Sequence, residues 1–487
     1  MAGVAGILGN GTESRTVRRM LQAIEHRGPD TLRMHQAEQF CGGVRASELS
    51  AHRGDGFAQD DGITVLFDGD IYNARDNGES DAGVALKLYK QYGRTFASHL
   101  QGVFACGVCD GQGVLLARDA VGVRPMYWAT TGGGDLYFAS EAKALVGLVQ
   151  DVAELPPATT YSSLTGLAGY LPHYPPVQMN ETFANAAKTL RAALMRAVAR
   201  RLEDGAVGAC LLSGGLDSSI IAAAARELGA DIPLVTVGMK GAPDVENARL
   251  MAKHLGMRHH VHLYNADQVF DSVPRAVWAL ESFDEDCVSG AISNLFASSK
   301  AREFTNCILS GEGGDEHFGG YHLLKDLPTE AERLQMMGRL IEIAYNTAVQ
   351  RLDRAMMGNS INYRTPFIDT EVIAFAMQMP VQWKIHDGGN GDLVEKYILR
   401  EAFKDLLPDP IYRRAKLRFA AGTGTDNLMD EIARNRAGFG ELSEASRITA
   451  EGYALNSPKE LWYYSLFKQK FPAPCFEKLV GRWDPGK

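Results

Sequence analysis

Residues 207–228 constrain the fold of this 487-residue chain more than any other stretch. Val207–Leu212 is a short apolar run that ends in Ser213-Gly214-Gly215. Leu216, Asp217, Ser218 and Ser219 follow, and then Ile220–Leu228, a strong helix former. The order is strand, small-residue loop, helix start. Such a loop presents backbone N–H groups and hydroxyls to an anion, and the helix dipole favours negative charge there. The lysine of a GxxxxGK[ST] loop is absent, so this is not a Walker loop.

Around this unit the chain changes character. Residues 1–150 carry short strand signals broken by Gly and Asp: Ile63–Phe67, Phe104–Val108, Val114–Ala117 and Leu136–Ala139. Helical stretches fall near 15–26 and 81–92, and residues 1–8 read as a buried strand. This pattern predicts an α+β layered domain. Residues 151–185 hold five prolines and many hydroxyl side chains, the composition of a connecting stretch. A long helix over 187–204 then leads into the loop. Strand signals at Ile232–Gly238, His259–Tyr264 and Thr305–Ser310 alternate with helices, which predicts a parallel sheet with crossover helices. Beyond 322 nearly everything reads as helix.

The net charge of −9 disfavours a nucleic-acid partner. No apolar run reaches membrane-spanning length, and no basic-then-apolar leader opens the chain, so a membrane partner is not expected. Seven scattered cysteines fit reduced thiols in a cytoplasmic protein. Cys106 and Cys109 have CxxC spacing but no second pair nearby, so they read as core cysteines.

Ninety-seven residues after Ser213 comes Ser310-Gly311-Glu312-Gly-Gly-Asp315-Glu-His-Phe-Gly-Gly-Tyr321. A second parallel strand thus ends in a second glycine-rich acidic loop, where α/β ligands sit. Asp217 and Asp315 would face one another across a nucleotide. Two carboxylates plus phosphate oxygens suit Mg2+.

The SGGLDSS loop resembles the pyrophosphate-binding loop of N-type ATP pyrophosphatases. With the second loop, the chain resembles glutamine-hydrolysing asparagine synthetases and their relatives, the β-lactam and carbapenam synthetases and the lasso-peptide cyclases. His26–Asp30, Asp68–Asn73, Leu116–Pro125 and Phe138–Leu145 resemble the glutaminase domain. Arg364–Asp369, Glu395–Arg400, Arg413–Lys416 and Lys459–Tyr464 resemble the synthetase domain. The resemblance implies an Ntn-type αββα glutaminase-like domain over 1–165, a linker over 166–185, and a helix-rich domain over 186–487 on a parallel-sheet ATP pyrophosphatase core. It implies ATP and Mg2+ as cofactors. ATP would meet Leu212 through Ser219, Val237, Ser310 and Gly311, and the metal would meet Asp217 and Asp315. Glu312 and Lys416 take the catalytic roles, Glu312 as proton acceptor from the amine and Lys416 against charge on the phosphates. The partners are then a small carboxylic acid and ammonia or another amine, with a homodimer compatible.

The chain also departs from that pattern. The family places a cysteine directly after the initiator Met, where Ala2 stands here, and alanine offers no nucleophile. The family's Asn-Gly-Glu is Asp68-Gly69-Asp70, and its Arg-Leu-Ser-Ile stretch becomes the dissimilar Val44–Leu49. Ser80-Asp81 still matches the glutamine-contacting pair. These changes point to a decayed glutamine pocket of Ala2, Asp68, Gly69, Asp70 and Asp81, with a single designed Cys→Ala change, which the retained Ser80-Asp81 pair fits, as the alternative. Phe283–Ile292 and Asn362 also differ from the asparagine synthetase versions, so the acyl substrate is expected to be a specialised carboxylic acid. Glu312 stands where the β-lactam synthetases carry tyrosine. The expected function is an ATP-dependent amide-forming ligase that makes an acyl-adenylate without hydrolysing glutamine. A true asparagine synthetase, an intramolecular cyclase, an RNA-modifying ATP pyrophosphatase and a dead scaffold are the competing readings.

Overall fold

The computed structural model describes residues 2–10, 13–47, 54–73, 78–174, 182–389, 392–440 and 448–483. The N-terminal domain stacks two antiparallel sheets of six strands each. In the first sheet, strand Ala2–Leu8 lies between Leu136–Ala139 and Phe40–Ala46. In the second, Gly102–Cys109 lies between Ile63–Ile71 and Val114–Arg118. Strand alternation decides what each face meets. Ala2 and Val4 point into the core between the sheets with Leu66, Leu116 and Phe138. Ala5 and Ile7 point outward, onto Val17, Met20 and Leu21 of helix Ser14–Ala23. Helix Asp81–Tyr92 covers the other outer face through Ala82, Ala85 and Leu86. The layers are therefore α, β, β, α, as the sequence implied.

The stretch expected to be a connection is partly sheet. Strand Thr159–Ser162 pairs with Val114–Arg118 and with Gly166–Gly169, which carries the sheet past residue 165. The turn residues that suggested a linker make the hairpin. The remainder of the expected linker falls partly on residues 175–181, outside the described residues.

The C-terminal domain has a five-stranded parallel sheet. Its order is His259–Tyr264, Leu234–Met239, Ala209–Leu211, Cys307–Leu309, Asn362–Arg364. The first strand in sequence lies in the middle. The chain runs from it to one side and then returns to the other, so Ala209–Leu211 and Cys307–Leu309 flank a topological switch point. The fifth strand, Asn362–Arg364, lies in the region expected to be helical; three residues are too few to show a period. Helix Phe183–Leu202 buries Leu190, Leu194 and Val198 beside Ile220 and Ile221 of helix Leu216–Glu227.

All seven cysteines are buried and free. Cys106 and Cys109 sit on one strand three positions apart, so they face opposite sides and enter different cores. Burial pushes the Cys106 thiol up to about 12. Among the described residues no helix is long and apolar enough to cross a membrane.

Candidate active site

Both glycine-rich loops leave the C-terminal ends of neighbouring strands at the switch point, and a cleft of about 160 Å3 opens between them. Leu212, Ser213, Gly215, Leu216, Asp217, Ser218, Val237, Ser310, Gly311, Glu312, Asp315 and Lys416 all line it. Of the predicted nucleotide residues, Gly214 and Ser219 do not. Ser219 is fully buried under the first turn of its helix. Gly214 makes the turn itself: its φ is 73°, and an added Cβ would lie 2.5 Å from the Ala248 nitrogen.

The first loop is held ready by its own hydroxyls. The Ser213 nitrogen donates to Ser218 Oγ at 3.1 Å, and the two serine hydroxyls are 2.9 Å apart. Gly215 caps helix Leu216–Glu227 without a side chain, so the helix start stays open to an anion. Arg414 ties the late basic run to this loop. It donates to the Gly214 carbonyl at 2.6 Å and pairs with Asp244. That run is therefore not simply an exposed basic face, although Arg413 and Arg418 are largely exposed.

The central feature is a pair of carboxylates and a pair of ammonium groups. Lys396 bridges Asp217 and Asp315, the latter at 2.5 Å. Lys416 reaches the other oxygen of Asp315, also at 2.5 Å. Burial alone would raise the Asp315 carboxyl, but Lys396 and Lys416 hold it well below the usual range. Burial opposes the charge on Lys416, yet Asp315 and Asp217 push its ammonium up. Asp217 is different: burial raises its carboxyl, against the pull of Lys396. Burial also raises Glu312, against Arg351, whose NH2 lies 3.3 Å from Glu312 Oε1.

Sequence reasoning assigned no role to Lys396 or Arg351. Lys396 is 1% exposed and sits at φ 55°, a strained setting for a non-glycine residue. Its place in the Glu395–Arg400 stretch was the only available signal. Arg351 lies on helix Ala348–Met357, which no sequence motif marked.

The N-terminal residues gather elsewhere. The Ala2 nitrogen donates to Asp68 Oδ1 at 3.2 Å, and Arg27 donates to Asp68 Oδ2 at 2.7 Å. Asp81 Oδ1 accepts from the Ile71 nitrogen at 3.1 Å. Gly69 stands between Asp68 and Asp70 in strand Ile63–Ile71. Asp70 does not join Ala2. It accepts from Arg364 at 3.0 Å and from Asn362 at 3.2 Å, both in the C-terminal domain. Of the dissimilar stretch Val44–Leu49, residues 48 and 49 lie outside the described residues.

The sequence pattern described as asparagine synthase matches residues 189–347 and 325–453, and that described as a glutamine amidotransferase domain matches residues 1–202. A glutamine-hydrolysing asparagine synthetase of Arabidopsis thaliana, number 2, is 30% identical over 521 positions, covering 99% of this chain and 89% of that protein. The glutamine-hydrolysing asparagine synthetase of Zea mays is 29% identical over 528 positions, covering 100% of this chain and 89% of its own. The two-loop cleft at the switch point and these near full-length likenesses agree, and the chain belongs to the asparagine synthase family.

Proposed function

We propose that the protein is an ATP-dependent C–N ligase that activates a carboxylic acid as an acyl-adenylate and passes the acyl group to ammonia or another amine, without hydrolysing glutamine. The observation that carries this reading is the meeting of Asp217, Asp315, Lys396, Lys416 and Glu312 in one cleft at the ends of two parallel strands. The substrate carboxylate attacks the α-phosphorus, and pyrophosphate leaves into the Ser213–Ser218 loop. The amine nitrogen then attacks the acyl carbon and AMP leaves. Glu312, whose carboxyl burial raises against the pull of nearby Arg351, is placed to receive the proton that the amine sheds. Lys416 and Lys396 counter charge that gathers on the phosphate oxygens.

Asp217 and Asp315 suit Mg2+, since Asp217 Oδ1 is buried without a hydrogen-bond partner. When bound there, the ion would neutralise phosphate charge.

Glutamine independence follows from Ala2 and Asp68. Alanine brings no nucleophile. Asp68 is spent on the Ala2 backbone and on Arg27, and a carboxyl group has no N–H to offer an oxyanion. The test is pyrophosphate release from ATP across a panel of carboxylic acids, with ammonium chloride or glutamine as nitrogen donor. Acid-dependent release that glutamine leaves unchanged supports the reading. Release driven by glutamine, with glutamate formed, sinks the glutamine-independent part. No release with any acid sinks the adenylation.

A further inference from the structure

We propose that Trp483 is the wall that keeps water from the acyl-adenylate in the cleft, and that segment Val480–Trp483 is a strap built to hold it there. This rests on the adenylation reading above and adds the residue that protects its intermediate. Trp483 lines the cleft beside Tyr321, and the two rings lie 4.9 Å apart. The indole is only half-buried, so it stands between the cleft and solvent. It also packs against the apolar cluster that includes Leu324 and Leu340. The Tyr321 hydroxyl donates to Glu316 Oε1 at 2.5 Å, and Glu312 and Arg351 are its charged neighbours in the cleft. The aromatic pair therefore stands at the end of the cleft where the acyl group is transferred, not at the phosphate loop.

The strap is pinned at each of its residues. Val480 is buried. A Cβ on Gly481 would lie 2.0 Å from the Asn346 carbonyl oxygen, so only glycine lets the backbone pass there. Arg482 places NH2 2.5 Å from Oε1 of the fully buried Glu460 and donates to the Ala454 carbonyl at 3.0 Å. Its guanidinium lies 5.3 Å over the Phe283 ring. The Trp483 nitrogen donates to Asp284 Oδ2 at 2.9 Å. Asp284 Oδ1 accepts from the Cys287 nitrogen at 3.0 Å and so caps helix Glu285–Ala301, which turns Asp286, Gly290 and Asn294 to the cleft. One buried carboxyl group thus ties the indole to a helix that forms part of the same cleft.

The intermediate needs such a wall. An acyl-adenylate is a mixed anhydride. Water attacking its acyl carbon breaks the bond to the phosphate oxygen and returns the acid and AMP, so ATP is consumed and no amide forms. A ligase therefore has to keep water away from that carbon until the amine arrives. An indole covers a large area and offers a single N–H donor, so it excludes water without adding a competing nucleophile.

The experiment compares two rates of the full chain with ATP, Mg2+ and each of acetate, benzoate, succinate and L-aspartate, with no ammonia added. One is ATP–pyrophosphate exchange. The other is AMP formation in heavy-oxygen water, where each hydrolysed adenylate leaves one label in the acid. With the acid that supports the fastest exchange, the parent should form AMP about tenfold more slowly than it exchanges pyrophosphate. Trp483→Ala should narrow that gap by roughly fivefold, and Trp483→Phe should keep most of it. Gly481→Ala displaces the strap at a residue that does not line the cleft. It should narrow the gap too, with exchange within about twofold of the parent. AMP formation that keeps pace with exchange in the parent, or an unchanged ratio in Trp483→Ala and Gly481→Ala proteins that still exchange, overturns the wall and leaves adenylation standing. Exchange with none of the acids overturns both.

Discussion

Arg27 and Asp353 are 326 positions apart in the chain, yet they form a buried ion pair across the domain boundary, with NH1 2.8 Å from Oδ2. Asp353 also accepts from Arg124 NH1 at 3.0 Å and from the Tyr363 hydroxyl at 3.2 Å. It lies on helix Ala348–Met357, two residues from Arg351. Its neighbour Arg354 donates to Tyr127 and Glu281, and Glu281 in turn accepts from the backbone of Ala142 and Lys143. One face of this helix is therefore fixed to the N-terminal domain, and another supplies a wall of the cleft. The N-terminal domain thus helps to hold the site.

Removing one member of this network should be severe. Arg27 is fully buried and faces Asp68, Glu141 and Asp353. Breaking a buried pair by deleting one partner costs on the order of 3–5 kcal/mol, because the opposite charge is left unpaired. Arg27→Met is expected to lower the unfolding free energy by that order, seen as a lower urea midpoint and a lower Tm. A midpoint within error of the parent would show that the ions contribute little.

Much of this was legible in the sequence, and the limits have physical reasons. The two loops, the parallel sheet and the layered N-terminal domain were readable because turn chemistry and period-two or helical patterning are local. Lys396 was not, because its position between Asp217 and Asp315 comes from a fold contact 179 residues long and a left-handed backbone. Asp70 was grouped with Ala2 because it shares a motif with Asp68, which accepts from the Ala2 nitrogen, but Asp70 lies two positions further along the same strand face and meets Arg364 instead. Asn362 appeared as a mere departure from the family. In the fold it accepts from Arg124 and donates to Asp70, which makes it part of the domain boundary.

The carboxylate–ammonium centre sets the next expectation. Asp315 carries its charge because two lysines surround it, and Lys416 keeps its proton because two aspartates do. Lys416→Ala removes a donor aimed at developing charge, a change worth roughly 10²–10³ in rate. Asp217→Ala should cost at least as much, since it also removes the buried oxygen suited to a metal. Both should be measured as acid-dependent pyrophosphate release under saturating ATP and Mg2+. A Lys416→Ala rate within threefold of the parent would remove this lysine from the chemistry.

A cysteine at position 2 should not by itself confer glutamine use. Ala2→Cys places a thiol beside Asp68, but the Asp68 carboxylate remains tied to Arg27 and can give no N–H to an oxyanion. Glutamate production by Ala2→Cys is expected to stay at the background of the parent protein. The double change Ala2→Cys with Asp68→Asn is the informative comparison. A glutaminase rate in the single variant would mean that the pocket is intact apart from one atom.

Lys384 offers a test of electrostatics away from the site. It ends helix Val381–Lys384, is 4% exposed, and has no carboxylate paired with it among the described residues. Burial lowers its ammonium from 10.5 to about 8. Below pH 8 both folded and unfolded chains carry the proton, so folding pays the full cost of burying the charge. Between about pH 8 and 10.5 the folded chain releases its proton first, and that cost fades. Stability attributable to this residue therefore rises with pH across that window. Lys384→Met should be more stable than the parent at pH 7 by about 3 kcal/mol, and the gap should close toward pH 10.5. Urea midpoints of the two proteins, measured from pH 7 to 10.5, check both the sign and the window. A gap that stays constant with pH would assign the difference to packing rather than to charge.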